Sequence, residues 1–373
     1  MKKWIFAMII IAVLVLSGIS VYAIQGLDEN KSTRILADDG YATLTTSTVG
    51  GTIETTKDVL QSVVDGTFYA GLHVTDGYSV FSLDKTFLQQ IVNIAQGTTV
   101  SFHFGYNSPK TEITFLIKDS NSNALFSDEG RCLGEISYTA GSNSGVNDTV
   151  LKDPAGKELA LSAYYPDAQM IRWQLNDVGK YMIATNSVAF TDTANHWGLT
   201  YISFLAARGV ADGMGGNLFV PNDSLTRAQF VTFLARVADA DVSAAGTNQF
   251  TDVVSGSWYY PYVGWAYQNG ITSGISATEF APEMRITREQ MAVFAVRLLN
   301  YLKIEKTPVC DSADFSDAAA ISSWAKDAVT TSQNIGVING RTATTFDPKG
   351  NATRAEAATV CAKIISYMLI MPQ

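Results

Sequence analysis

The sequence predicts a multidomain chain: a β-rich (α+β) domain first, then an all-α region of helix–loop–helix repeats. Three observations carry this reading. The chain has 373 residues, and at roughly 150 residues per domain that asks for two or three units. Between residues 41 and 189 apolar and polar residues alternate in strand fashion, with Thr, Val, Phe and Tyr enriched. From Phe190 onward a block of roughly 60 residues recurs three times.

The composition narrows the class. Hydrophobic residues make up 47% and charged residues 16% of the chain, which excludes a disordered polyelectrolyte and leaves enough apolar material for real cores. The formal charge is −9, with no long Lys/Arg run. Phosphate binding rests on cationic charge, so nucleic acid is excluded as a partner. The cysteines are Cys132, Cys310 and Cys361, with no CxxC pair and no Cys/His cluster. A structural zinc site is therefore not expected. The odd count leaves at least one thiol without an intrachain partner; whether Cys310 and Cys361 pair stays open.

At the start, Lys2 and Lys3 precede an unbroken apolar run from Ile5 to Leu16, and Val21 and Ala23 fit a small-x-small cleavage pattern. Residues 1–23 read as a signal peptide. The run is short of the ~20 residues a spanning helix needs, so no membrane segment is expected after cleavage. The mature chain is expected to be secreted. Few cysteines in an exported chain fit a bacterial surface protein that does not rely on disulfides. Residues 24–40 are polar and read as a mobile lead.

Residues 41–189 read as one β-rich exported domain. TFYAGLHV, TTVSFHF and TEITFLIKD alternate as strands; LDKTFLQQIVNIAQG reads as a helix ended by Gly97; KELALSAYY, AQMIRWQL and GKYMIAT read as three more strands. No catalytic constellation stands out. His73 and His103 sit in strand patterns, where a histidine is more often a satisfied structural residue than a base. Asp58, Asp65, Asp76 and Asp84 are scattered, and nothing in their spacing selects an acid pair. There is no G-x-S-x-G elbow, HExxH or P-loop. The chain is read as not an enzyme, with no cofactor and no metal.

The repeats cover residues 190–240, 250–301 and 315–370. They open FTDTANHW, FTDVVSGSW and FSDAAAISSW, and from the tryptophans Trp197, Trp258 and Trp324 the register is constant. Gly209, Gly270 and Gly336 follow, where a glycine past the last helical residue stops a first helix. Next come Gly213, Gly274 and Gly340, then Phe219, Phe280 and Phe346, then Pro221, Pro282 and Pro348. A second helix opens at TRAQ, TREQ and TRAE. This is a capping box: Thr226, Thr287 and Thr353 accept from the third-position amide, and Gln229, Gln290 and Glu356 reach back.

Capping does not explain the arginines Arg227, Arg288 and Arg354. A cation in the first turn faces the positive end of the helix dipole, at a cost of roughly 0.3–1 kcal/mol. Its recurrence in each copy asks for a partner. Two remain open: an acidic residue inside the protein, such as Asp192, Asp252 or Asp317, or an anionic ligand.

The pattern FTD…W…G…G…F.P…TRAE resembles the S-layer homology repeat of bacterial envelope proteins, over about half the chain. The resemblance implies an all-α, pseudo-threefold trimer of repeats, with one helix of each in a central bundle and grooves between neighbours. It implies non-covalent anchoring to the bacterial cell wall. The grooves would bind secondary cell-wall polysaccharide attached to peptidoglycan, often through a pyruvylated sugar. By position, the polysaccharide-binding residues would be Arg227, Arg288 and Arg354, Trp197, Trp258 and Trp324, Gly213, Gly274 and Gly340, and Asp192, Asp252 and Asp317. A guanidinium suits a ketal carboxylate. An indole could lie on a sugar's C–H face, although tryptophan is more often buried packing. The glycines could admit a ligand or simply permit a left-handed turn; the aspartates would orient the loop or the arginine. Only the third copy has a full TRAE, and its loop adds Arg341, so the copies need not be equivalent binders. The implied role is an S-layer or accessory surface protein, whose first domain could make lattice or surface-protein contacts. The alternatives are a wall-anchored enzyme, such as a glycan hydrolase, or an adhesin, with the activity in residues 41–189. Residues 190–373 are expected to fold alone as a monomer.

Overall fold

In the computed structural model the described residues are 36–369, apart from 39, 47, 68, 140–144 and 244–248. The expected signal peptide at residues 1–23 and most of the lead at 24–40 lie outside them.

The first half is two facing sheets. One takes β1 (Leu36–Asp38), β2 (Tyr41–Thr45), β4 (Gly71–Thr75), β5 (Ser79–Asp84), β8 (Cys132–Ser137), β11 (Met170–Gln174) and β10 (Ser162–Tyr165), in the order β1-β2-β4-β5-β8-β11-β10. The other takes β3 (Thr52–Thr56), β6 (Thr99–Tyr106), β7 (Glu112–Asp119), β12 (Gly179–Thr185) and β9 (Thr149–Lys152), in the order β3-β6-β7-β12-β9. Among the described residues only β2 and β4 pair in parallel. The alternation read from the sequence becomes burial: along β7 the residues Ile113, Phe115, Ile117 and Asp119 are buried. The sheets meet through aromatic rings. Phe81 of β5 stacks on Phe115 of β7 at 3.6 Å, and Trp173 of β11 meets Phe81 edge-on.

The helix α2 (Lys85–Ile94) forms where LDKTFLQQIVNI predicts it, with Asp84 accepting from the Phe87 amide at 2.7 Å. A second helix, α1 (Lys57–Asp65), escaped the sequence reading. It buries Leu60 and Val63 and packs Val59 and Val64 beside them, a helical spacing that the sequence reading passed over. The structure adds the cap from Thr56 and packing against α2.

The second half contains α3 (Leu199–Ala207), α4 (Arg227–Val237), α5 (Tyr260–Gln268), α6 (Arg288–Tyr301), α7 (Lys326–Asn334) and α8 (Arg354–Met368). Both halves of the capping box form at Thr226, Thr287 and Thr353. Gly209, Gly270 and Gly336 end the first helices at φ of +67°, +70° and +70°, where a side chain would strain the backbone.

The expectation of an all-α trimer of repeats needs correction. The helices are joined by long non-helical loops and two 3-10 turns, and backbone pairing of β type ties the copies together. Isolated antiparallel bridges join Ser224 to Thr353, Thr226 to Arg285 and Thr287 to Asn351. Leu225 donates its amide to Ala352, Ala352 to Ile286, and Ile286 back to Leu225, at 2.9–3.1 Å. The physical reason lies in the helix starts. The first amides of a helix have no partner within it. Here the amides of Arg227, Arg288 and Arg354 donate to Met284, Gly350 and Asp223, and those of Ala228, Glu289 and Ala355 to the carbonyls of Pro282, Pro348 and Pro221. Each helix start is thus completed by another copy's turn, and the order closes on itself.

Nor does the repeat region stand apart. Its apolar core takes in Leu133, Ala160, Leu161 and Ala163 of the first half. Arg208, just past α3, is 3% exposed and aims its guanidinium into the β-rich domain. Nε donates to Ser162 O at 2.7 Å, Nη1 to Asn147 O and Phe204 O at 3.0 Å each, and Nη2 to Thr149 O at 2.9 Å. Arg131 donates to Met368 O at the end of α8, and Lys157 pairs with Asp239. A fragment of residues 190–373 would expose this shared surface, so its independent folding is not what the packing favours.

Candidate functional site

The arginines are bolts between copies. Nε of Arg227 donates to Phe280 O, Nε of Arg288 to Phe346 O and Nε of Arg354 to Phe219 O, at 2.7–2.8 Å. Each guanidinium also lies over the ring of the same phenylalanine, at 4.5–5.0 Å. All are nearly sealed, at 2%, 4% and 3% exposed. Burial pushes Arg227 and Arg354 down to about 10, so both remain charged at neutral pH. The partner predicted for them was an aspartate or a ligand. In the fold it is first a backbone carbonyl of another copy, and among the described residues only Arg288 adds a carboxylate, Glu356, at 2.8 Å.

The repeat-opening aspartates serve the loop instead. Asp192 accepts from the amides of Phe219 and Val220, Asp252 from Phe280 and Ala281, and Asp317 from Phe346 and Asp347, at 2.6–2.9 Å. These bonds hold Val220, Ala281 and Asp347 at φ of +56°, +59° and +58°, a conformation non-glycine residues seldom adopt. They also aim the preceding phenylalanine carbonyl at the arginine.

The glycines answer a close approach. A Cβ on Gly213, Gly274 or Gly340 would meet the ring of Phe190, Phe250 or Phe315 at 2.7, 2.5 and 2.6 Å. Only Gly274 combines this with a left-handed φ, +82°. The close contact comes from inside the protein.

The tryptophans go against the buried-packing expectation. Trp197, Trp258 and Trp324 are 60%, 53% and 58% exposed. Trp197 and Trp258 stand just before a first helix and line clefts rather than entering the core, and Trp324 sits in a 3-10 turn just before α7. One cleft, of about 390 Å³, is lined by Asp212, Gly213, Met214, Gln229 and Arg236 of repeat 1, by Arg354 of repeat 3, and by Trp258 and Tyr262 of repeat 2. Another, of about 290 Å³, takes Asn339, Gly340, Arg341, Glu356 and Lys363 of repeat 3, Arg288 of repeat 2 and Trp197 of repeat 1. Every such groove draws on all the copies. The expected site residues meet, but never within one repeat: an arginine from one copy and an indole from another flank the glycine loop of a third. Sequence reasoning also missed Asp212, Tyr262 and Lys363, whose roles depend on which copy's wall faces which loop.

Acid should loosen this arrangement. Burial works against the carboxylates of Asp192 and Asp317, yet the amides they accept from hold both below the ordinary carboxylate range. Burial also opposes Glu356, and Arg341, the Thr353 amide and Arg288 outweigh it. A carboxyl depressed in the folded state contributes stability above its unfolded pKa and loses it as pH falls through the folded one. The chain is therefore expected to lose stability below about pH 4. The slope of unfolding free energy against pH should flatten in the double variant Asp192→Asn/Asp317→Asn. An unchanged slope would show that these carboxylates are not held by the loop.

Outside the repeats, the histidines are engaged by neighbours within their own sheets. His73 Nδ1 lies 2.7 Å from Ser82 Oγ and the ring stacks on Tyr41; His103 bonds Thr52 and Ser101. Asp76 is buried and accepts from Gly50, Tyr78, Ser79 and Tyr106.

This geometry defines a class: a tandem-repeat protein whose copies interlock around clefts, each cleft floored by a sealed guanidinium and edged by an exposed indole. Residues 189–231, 249–292 and 314–358 each match the S-layer homology domain, so the chain carries three tandem copies of that domain. It is 37% identical over 172 residues to an amylopullulanase of Thermoanaerobacterium thermosulfurigenes, 46% of this chain and 9% of that protein. It is 34% identical to exoglucanase XynX of Acetivibrio thermocellus, over 48% of this chain and 16% of that one. An S-layer protein of Bacillus thuringiensis subsp. finitimus is 30% identical, over 48% of this chain and 22% of that one. The chain thus spans less than a quarter of the length of these relatives, and the likeness lies in the repeat half. Domain and relatives together indicate a cell-surface, wall-associated protein.

Proposed function

We propose that the protein is secreted and anchored non-covalently to the bacterial cell wall by its repeats, which bind an acidic, peptidoglycan-linked secondary cell-wall polysaccharide. The observation carrying this reading is the exposure of Trp197 and Trp258 beside grooves that contain Arg288 and Arg354. An apolar ring left in water beside a buried cation suits a saccharide, which offers a C–H face to the indole and oxygens to the polar floor. Pyruvate ketals are one form the acidic substituent would take. In the same reading residues 41–189 are a displayed domain rather than an enzyme, supported by the bonds that engage His73 and His103 within their own sheets and tie Asp76 to Gly50, Tyr78, Ser79 and Tyr106. The protein acts as an S-layer or accessory surface protein.

The test is retention of the full chain on purified wall sacculi, before and after the polysaccharide is stripped. Binding is expected to disappear with the polysaccharide; retention on bare peptidoglycan would overturn the glycan assignment. Arg288→Ala is a poor substitute for this test, because it also removes the side-chain donors to Phe346 O and Asn339 O and one of those to Glu356.

A further inference from the structure

Two Asn–Gly steps occur in the chain, at Asn269–Gly270 and Asn339–Gly340. Such a step is chemically weak. The glycine has no side chain to shield its amide nitrogen, and its backbone turns freely. That nitrogen can attack the side-chain carbonyl carbon of the asparagine before it, and the fold decides where it does.

At the first step the fold blocks the attack. Asn269 caps the end of α5, and its Nδ2 donates to Trp265 O at 2.9 Å. The amide of Gly270 donates to Tyr267 O at 3.1 Å, so the nucleophile is engaged. The second step is open. Asn339 is exposed and lies in irregular chain beyond α7. Among the described residues, neither its side-chain amide nor the amide of Gly340 has a hydrogen-bond partner.

The surroundings also favour the charge that forms there. Arg288 Nη2 donates to Asn339 O at 2.6 Å. When Gly340 loses its amide proton, the negative charge spreads onto that same oxygen, where the guanidinium stabilises it. The cleft around the step is lined by the cations Arg288, Arg341 and Lys363 against the carboxylate of Glu356. A lining with excess positive charge stabilises an amide anion further.

We infer that Asn339 is a self-modifying site, at which the chain converts its own asparagine into aspartate and isoaspartate. Hydroxide from solvent takes the Gly340 amide proton. The nitrogen bonds to Asn339 Cγ, the Cγ–Nδ2 bond breaks, and Nδ2 takes a proton from water and leaves as ammonia. One water then opens the five-membered imide. Cleavage of its nitrogen bond to Cγ leaves an aspartate; cleavage at the backbone carbonyl carbon routes the chain through Cγ as isoaspartate.

The fold already accommodates the aspartate form in another copy. Repeat 1 has Asp212 immediately before its loop glycine, where repeat 3 has Asn339. Arg354 Nη2 donates to Asp212 O as Arg288 Nη2 does to Asn339 O. The Asp212 carboxylate pairs with Arg236 at 2.6 Å, and Lys363 holds the position of Arg236 in repeat 3. Conversion therefore gives the third copy's cleft a carboxylate that the first copy has from the start. This chemistry is independent of what the clefts bind.

The experiment incubates the full chain in warm, mildly alkaline buffer and follows both Asn–Gly peptides by mass spectrometry, with a parallel sample in urea. Unfolded, the two steps should convert at similar rates, since each presents the same dipeptide to water. In the native chain Asn339 is expected to convert at least about tenfold faster than Asn269. That factor corresponds to about 1.4 kcal/mol of barrier, the scale of one engaged hydrogen bond. Asn339→Gln, which would have to close a six-membered ring, should abolish conversion at that position and leave Asn269 as it was. Hydroxylamine, which opens the imide and cuts the chain there, should release a fragment ending at residue 339. Equal native rates at the two steps, or no native conversion at Asn339 while the urea sample converts, overturns the site. Conversion without the hydroxylamine fragment would mean direct hydrolysis of the amide and overturns the cyclic route.

Discussion

Replacing Arg208 by alanine is expected to destabilise the chain by about 3 kcal/mol and to uncouple its two halves. The guanidinium donates to carbonyls of Ser162, Asn147, Thr149 and Phe204, and its plane lies 3.7 Å from the centre of the Phe204 ring. Burial pushes it down to about 9, still protonated at pH 7. Alanine removes every one of these donors at once. Each carbonyl left buried without a partner costs about 1 kcal/mol or more, and relaxation with entry of water returns part of that. The shared apolar surface of Leu133, Leu161 and Ala163 would then open more readily. Urea denaturation followed by far-ultraviolet circular dichroism should show an earlier midpoint. Amide exchange should rise first in β9 and β10, the strands that carry Thr149 and Ser162. A midpoint unchanged within about 0.5 kcal/mol, the ordinary scatter of a surface substitution, would show that this contact does not hold the halves together.

The second large effect falls on binding and leaves stability alone. Trp197→Ala, Trp258→Ala and Trp324→Ala together are expected to leave the unfolding midpoint nearly in place, because each ring is more than half exposed. Retention on sacculi should fall by at least about tenfold, since exposed indoles at a binding surface commonly carry more than about 1.4 kcal/mol. The arginines cannot separate the two quantities, because they bolt one copy to the next. If the triple tryptophan variant binds undiminished, the grooves are not where the glycan lies.

Particular residues show how far the sequence could be read. The capping boxes at Thr226, Thr287 and Thr353 are local, made within one turn of chain, so residue identity and spacing were enough to place them. The same holds for the stops at Gly209, Gly270 and Gly336 and for the alternation along β6 and β7. The helix α1 was missed although Val59, Leu60, Val63 and Val64 recur at helical spacing, because nine residues between strands carry only a short stretch of that pattern. For the tryptophans, residue type pointed to the core; only the position of another copy's wall shows the ring standing in water beside a groove.

The sequence by itself determined the repeat, its register, its helix boundaries and the recurrence of an arginine that local physics disfavours. Each of these depends on interactions between near neighbours along the chain. Only the tertiary structure decided what the arginine is for. Its partners, the carbonyls of Phe219, Phe280 and Phe346, lie in other copies. The join through Arg208 was likewise invisible, because its acceptors are backbone atoms, which every residue carries and no sequence pattern marks.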